Sequence, residues 1–178
     1  MAAYFGTLAV MKTKLSIQDA LSEVSEINYE GTQVLRLQRL GAVAIKDLMS
    51  QFAKAKNVED YQLIALVLTR LHDLQVRDYA MGLTNSDNMD QSFNFWHWLL
   101  QIAPPGYIAP VAAIFSTVAY ESGENDLAQR SLDQAFTDQS EYPLAKLLRR
   151  VYCAKWPAQS FAAMRAQLHP KVCASLFG

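Results

Sequence analysis

The densest set of residues able to do chemistry in this chain is Arg70, Asp73, Arg77 and Asp78. Arg70 and Asp73 stand three apart, and Asp73 and Arg77 four apart. On a helix these three share one face, with Asp78 one step round. Two guanidinium forks held together grip a carboxylate or phosphate at two points, so Arg70 and Arg77 form a candidate anion clamp. The same four charges on an otherwise apolar helix also fit a structural ion-pair network. The sequence leaves both readings open.

Other reaction chemistries lack their residue patterns. His72, His97 and His169 are widely separated, and neither a HExxH nor a Cys/His cluster is apparent, so no metal site is expected. Cys153 and Cys173 make neither a CxxC nor a disulfide framework, which points to a reducing, cytoplasmic setting. No GxSxG elbow, GxGxxG or phosphate-cradling glycine loop is present. The reading is of a non-catalytic protein with no cofactor and no identified small-molecule substrate.

Two surfaces suggest partners. Phe93, Phe95, Trp96, Trp98 and Tyr107 concentrate beside Pro104-Pro105-Gly106. Phe95 and Trp98 fall on a different helix face from Phe93 and Trp96. The set is either core or a groove for a peptide or partner helix, which makes Trp96, Trp98 and Tyr107 candidate partner contacts beside Arg70, Arg77 and Asp78. Net charge is only −1, but the charges are segregated. No Lys or Arg occurs between Arg77 and Arg130, and no acid follows Glu141. The basic end can pair internally with the acidic middle, meet another copy head to tail, or face an anionic partner. For nucleic acid the candidate contacts are Lys146, Arg149 and Arg150.

The elements that must position these residues read as helices throughout. With 51% apolar and 19% charged residues, 178 residues make one globular domain. An N-terminal segment and first helix occupy 1–31, and the main helical body 32–178. Ser16 caps the first helix, with Ile17, Ala20, Leu21, Val24 and Ile27 on one face. A second runs from about Gln33 to Lys54 and buries Leu37, Leu40, Ala44, Leu48 and Phe52; Gly41 inside it marks a bend or a close helix contact. Asn57 caps a third, apolar nearly all round from Leu63 to Val76, with Gly82 as its C-cap; that makes it the central helix. A fourth spans about Asp87 to Ile102. Pro110 lies in the first turn of a fifth that ends near Gly123. A sixth opens at Asn125 or Asp126 and ends near Phe136. Pro143 starts a seventh and Pro157 an eighth, which His169-Pro170 terminates.

Gln91 to Tyr120 carries no charged residue, but Pro104-Pro105-Gly106 divides it, so two buried helices are expected in place of a membrane span. The apolar start MAAYFGTLAVM has no basic residue before it and reads as neither leader nor span. The fold expected is all-α, an antiparallel bundle or array of about eight helices.

One helix pair stands out. Ala112, Phe115 and Ala119, followed by Ala128, Leu132 and Ala135, resemble a tetratricopeptide unit, with small residues where paired helices approach. The usual Trp and Gly of the first helix are absent, and no second copy appears at a period of roughly 34 residues. A wider resemblance rests on Leu68 to Asp78, Ala128 to Ala135, Pro143 to Leu148, and Ala154-Lys155-Trp156-Pro157. In that order and spacing they resemble the C-terminal helical half of an actinobacterial family known as domain of unknown function 4192, from roughly Leu40 to Leu168. The resemblance implies a lineage and a fold, with no reaction attached. The function expected is a cytoplasmic interaction or scaffold protein that binds a protein or itself; binding of nucleic acid through the basic C-terminal segment is the alternative.

Overall fold

A computed structural model describes residues 13, 14, 16–55 and 57–178, and among these every regular element is helical. Eight helices follow one another: α1 (Val34–Ala55), α2 (Tyr61–Arg70), α3 (Leu74–Gly82), α4 (Met89–Ile102), α5 (Ile108–Glu121), α6 (Asn125–Asp138), α7 (Pro143–Cys153) and α8 (Ala158–Phe177). Helical residues at 16–21 precede them. The expectation about residues 1–11 lies outside the described residues.

The central helix is α5. Every residue from Ala109 to Tyr120 is buried, and α5 packs against α3, α4, α6, α7 and α8. Its many Ala, Ser and Thr residues let neighbours close in on all sides. The sequence had pointed to the Leu63–Val76 stretch as central, and that stretch is two helices. Asp73 takes an extended backbone and its carboxylate accepts from the Val76 amide at 3.0 Å, capping α3 as α2 ends at Arg70. Local side-chain capping beats continuation of the apolar helix. Counted across that break, the apolar residues seemed to wrap one rod. Leu74, at the start of α3, is in fact exposed.

Three further boundaries differ from expectation. Ser16 lies within helical residues that end at 21, where the Glu23 and Val24 amides bond three residues back and tighten the turn. Val24 and Ile27 follow as half-buried non-helical residues. Asp60, in place of Asn57, caps α2 by accepting from the Leu63 amide at 3.0 Å, because Val58 is first drawn into the core. Helix α8 runs straight through Pro170. Its last turns are held by a small second core of Ala42, Tyr79 and Leu176, and the Arg39 guanidinium donates to the Leu176 carbonyl. Tertiary packing there outweighs the missing proline N–H.

Gly41 marks a close helix contact. A Cβ at that position would sit 2.7 Å from Cβ of Arg70 and 3.1 Å from Cγ1 of Val76. Leu40, one residue earlier, points outward, and Gln38 takes a buried place on the inner face. The Pro104-Pro105-Gly106 turn joins α4 to α5 as expected, with Gly106 at φ +89°. No helix among the described residues is long and apolar enough to cross a membrane.

Helices α5 and α6 form the most extensive pair. Ala112, Phe115, Ala119, Ala128, Leu132 and Ala135 are all fully buried. Residues 122–124 close one end. At the other, the Asp138 carboxylate accepts from the Gly106 and Ala109 amides at 2.6 and 2.9 Å, so the pair runs antiparallel.

Candidate functional site

The helix break at Asp73 separates the four charges Arg70, Asp73, Arg77 and Asp78. Arg70, 3% exposed, donates from Nη1 to the Ser25 carbonyl at 2.7 Å. Asp73 accepts from Gln38 Nε2 and from the Tyr29 hydroxyl, both at 2.9 Å, besides capping α3. Burial lowers the Arg70 pKa, with Asp73 and then Tyr29 opposing. The Tyr29 ring is 65% exposed, yet its phenol is pushed up to about 12, first by burial of the hydroxyl and then by its bond to Asp73. These groups pin the segment around residues 25–29 and α1 to the α2–α3 corner. Arg70 and Arg77 do not share a face, and Arg70 is buried with its Nη1 on the Ser25 carbonyl.

Arg77 turns the other way. It contacts Asp78 from Nη2 at 2.7 Å and Nε at 3.0 Å. Burial works against its charge, but Asp78 and the Tyr142 hydroxyl outweigh burial and hold its pKa above the usual arginine value. Arg77 and Asp78 line a groove of about 320 Å³ between α3, α7 and α8, together with Leu144, Leu147, Leu148 and Leu168. Leu147 and Leu168 are 57% and 49% exposed. Helix α7 carries this face because Leu144, Ala145, Leu148 and Tyr152 turn inward and leave Leu147 outward.

The aromatic concentration is chiefly packing. Phe95 and Trp96 are wholly buried, Trp98 lies 4.9 Å from the Phe52 ring, and Phe93 lies 5.1 Å from Phe115. Tyr107 is half-buried, edge-on to His72 at 5.2 Å. The split into Phe95/Trp98 and Phe93/Trp96 faces is not the one adopted, since Phe95 and Trp96 go inward as neighbours.

Half of the cations of the basic end are paired. Lys146 bonds Glu141, and Arg149 bonds Asp133 while lying 5.4 Å over the Phe136 ring. Arg150 is exposed. Arg165 reaches into the acidic middle: its Nε and Nη2 meet the two Glu121 oxygens at 2.8 and 2.7 Å, and its Nη1 meets the carbonyls of Met81 and Thr84. The fork ties α8 to the ends of α3 and α5. Arg165 and Glu121 are 44 residues apart, and no local spacing signals them.

A second feature has no signal in a sequence whose last helix is expected to stop at His169-Pro170, because it needs the helix to continue past Pro170. His169 and Cys173 are i and i+4 on α8, with Nε2 and Sγ 3.4 Å apart. His169 packs on Tyr79 and against Gly82, where any Cβ would collide with the imidazole. Burial, then Arg165, lowers the His169 pKa, so the ring is neutral near pH 7. No group of three or more His, Cys, Asp or Glu suited to a metal occurs among the described residues.

No curated protein and no solved structure matches this chain. Residues 12–159, which include the α2–α3 corner and the whole of α4 to α7, match a family model described as a domain of unknown function, DUF4192. The chain belongs to the DUF4192 family.

Proposed function

We propose that this protein is a non-catalytic helical interaction domain whose α3–α7–α8 groove receives an amphipathic, acidic helix of a protein partner. The supporting observation is that Leu147 and Leu168 stay exposed over an apolar floor of Leu144, Leu148 and Phe161. A helix laying its apolar face into a groove uses such a floor.

Charge favours an acidic partner. Lys171 lines the groove, and Arg150 stands one turn beyond Leu147. Neither makes an ion pair among the described residues. The acid of the lining, Asp78, is engaged by Arg77. Two of the three cations offered to nucleic acid, Lys146 and Arg149, are held by acids, so the protein-partner reading is preferred.

The test is selection of helical peptides from a display library, followed by fluorescence anisotropy. Enrichment of leucine-striped acidic peptides, lost on Leu147→Glu or Leu168→Glu, is the result expected. Selected peptides without acidic residues, or binding indifferent to both substitutions, would overturn the reading. Light scattering alongside reports whether a second copy fills the groove.

A further inference from the structure

Away from that groove, the ends of α5 and α7 meet the starts of α6 and α8 around a concavity of about 450 Å³. Tyr120, Tyr152, Trp156, Gln129 and Lys155 line it. The volume lies in the range of small-molecule sites. Tyr120 and Tyr152 stack with centroids 4.2 Å apart and planes 19° apart. Their hydroxyls are spent inward: Tyr120 donates to the Trp156 carbonyl, and Tyr152 shares a 2.7 Å bond with Ser116. Trp156 is left 37% exposed at the mouth. Gln129 Oε1 is buried with no hydrogen-bond partner, tucked just behind the cavity wall.

Lys155 is the charged residue of the described lining, and it is held at φ +52°. Helix α5 ends with the Gly123 amide on the Tyr120 carbonyl and the Glu124 amide on that of Ala119. Helix α7 ends with the same two bonds, from Lys155 to Tyr152 and from Trp156 to Val151. The left-handed position that glycine fills at one end is filled by a lysine at the other, against its backbone preference. That lysine makes no ion pair among the described residues. The starts of α6 and α8, at Asn125 and Ala158, also line the cavity, and neither helix has a side-chain cap. Their first-turn amides add partial positive charge.

We infer that this pocket binds a small planar, nitrogen-bearing ring with an anionic group, as in a nucleoside monophosphate or an aromatic carboxylate. The ring lies on Trp156, the anion meets the Lys155 ammonium, and a rotation of the Gln129 amide brings its unpartnered Oε1 out to a ring N–H or amino group.

The test is a two-dimensional amide NMR titration of the full chain with AMP, GMP and indole-3-acetate, with adenosine and inorganic phosphate as part-ligands. Saturable shifts of Gly123, Lys155 and the Trp156 indole are expected from AMP or GMP if the anion is a phosphate, or from indole-3-acetate if it is a carboxylate. Adenosine should bind about tenfold more weakly than AMP. Lys155→Gly relieves the backbone, so it keeps the fold with an equal or higher Tm. It should weaken the anionic probe about tenfold and leave adenosine unchanged. Absence of shifts from all three anionic rings, shifts from inorganic phosphate as large as those from AMP, or an unaltered titration in Lys155→Gly would overturn the assignment.

Discussion

Asp73 serves three elements with one carboxylate: it caps α3, holds Gln38 of α1 and takes the Tyr29 hydroxyl. Asp73→Ala removes a cap and strands two donors, so it should cost about 2–4 kcal/mol in urea denaturation. Asp73→Asn keeps an acceptor and should cost less than half as much. If both variants unfold at the wild-type midpoint, the carboxylate is not the anchor described. The chemistry of this residue was legible in the sequence, since Asp73 between Arg70 and Arg77 promised polar contact. Its geometry was not. A cap and a mid-helix ion pair use the same residue types, and only the three-dimensional approach of Gln38 and Tyr29 decides between them.

At the scale of elements, boundaries set by local chemistry could be read directly: Pro143 opening α7, Asn125 or Asp126 opening α6 (it is Asn125), and Pro104-Pro105-Gly106 parting α4 from α5. Boundaries that tertiary packing overrides could not, and α8 is the clearest. Pro170 removes one amide from its ladder, and the helix persists because Leu176 is buried against Ala42 and Tyr79. Pro170→Ala restores the bond and should raise stability by about 1–3 kcal/mol, read as a higher urea midpoint. Alanine usually improves a helical glycine, but Gly82→Ala should destabilise by about 1–3 kcal/mol, because its methyl meets the His169 ring. In Gly82→Ala/His169→Ala that clash is gone, and the double variant should be less destabilised than the two single losses summed. Simple additivity would show that the two side chains do not meet.

For the whole molecule, the buried Glu121–Arg165 fork joins α5, α8 and the carboxyl end of α3. Glu121→Ala leaves a guanidinium buried without its partner, so a loss of about 3–5 kcal/mol is expected by denaturant titration. An Arg165→Met/Glu121→Leu pair should recover much of it, as both charges then leave together. The fold also carries a pH dependence. His72 and His169 both have depressed native pKa values, chiefly through burial. The unfolded chain titrates near 6.5 and therefore binds more protons than the native state below about pH 7. Stability should fall as pH drops through that region, and His169→Gln, which replaces a half-buried ring, should flatten the fall. Midpoints that rise toward pH 5.5 would contradict these depressed values. The segregation of charge was visible in the sequence, but which acid meets which base was not, since Glu121 and Arg165 are brought together only by the packing of α8.

The α5–α6 hairpin, closed by its short loop at one end and by Asp138 on the Gly106 and Ala109 amides at the other, leaves no fraying terminus at the centre of the bundle. Solvent cannot reach the backbone of α5 by local opening while its neighbours stay in place. Its amide protons should therefore exchange with deuterium only when the entire chain comes apart, and their rate would serve as an internal gauge of global stability.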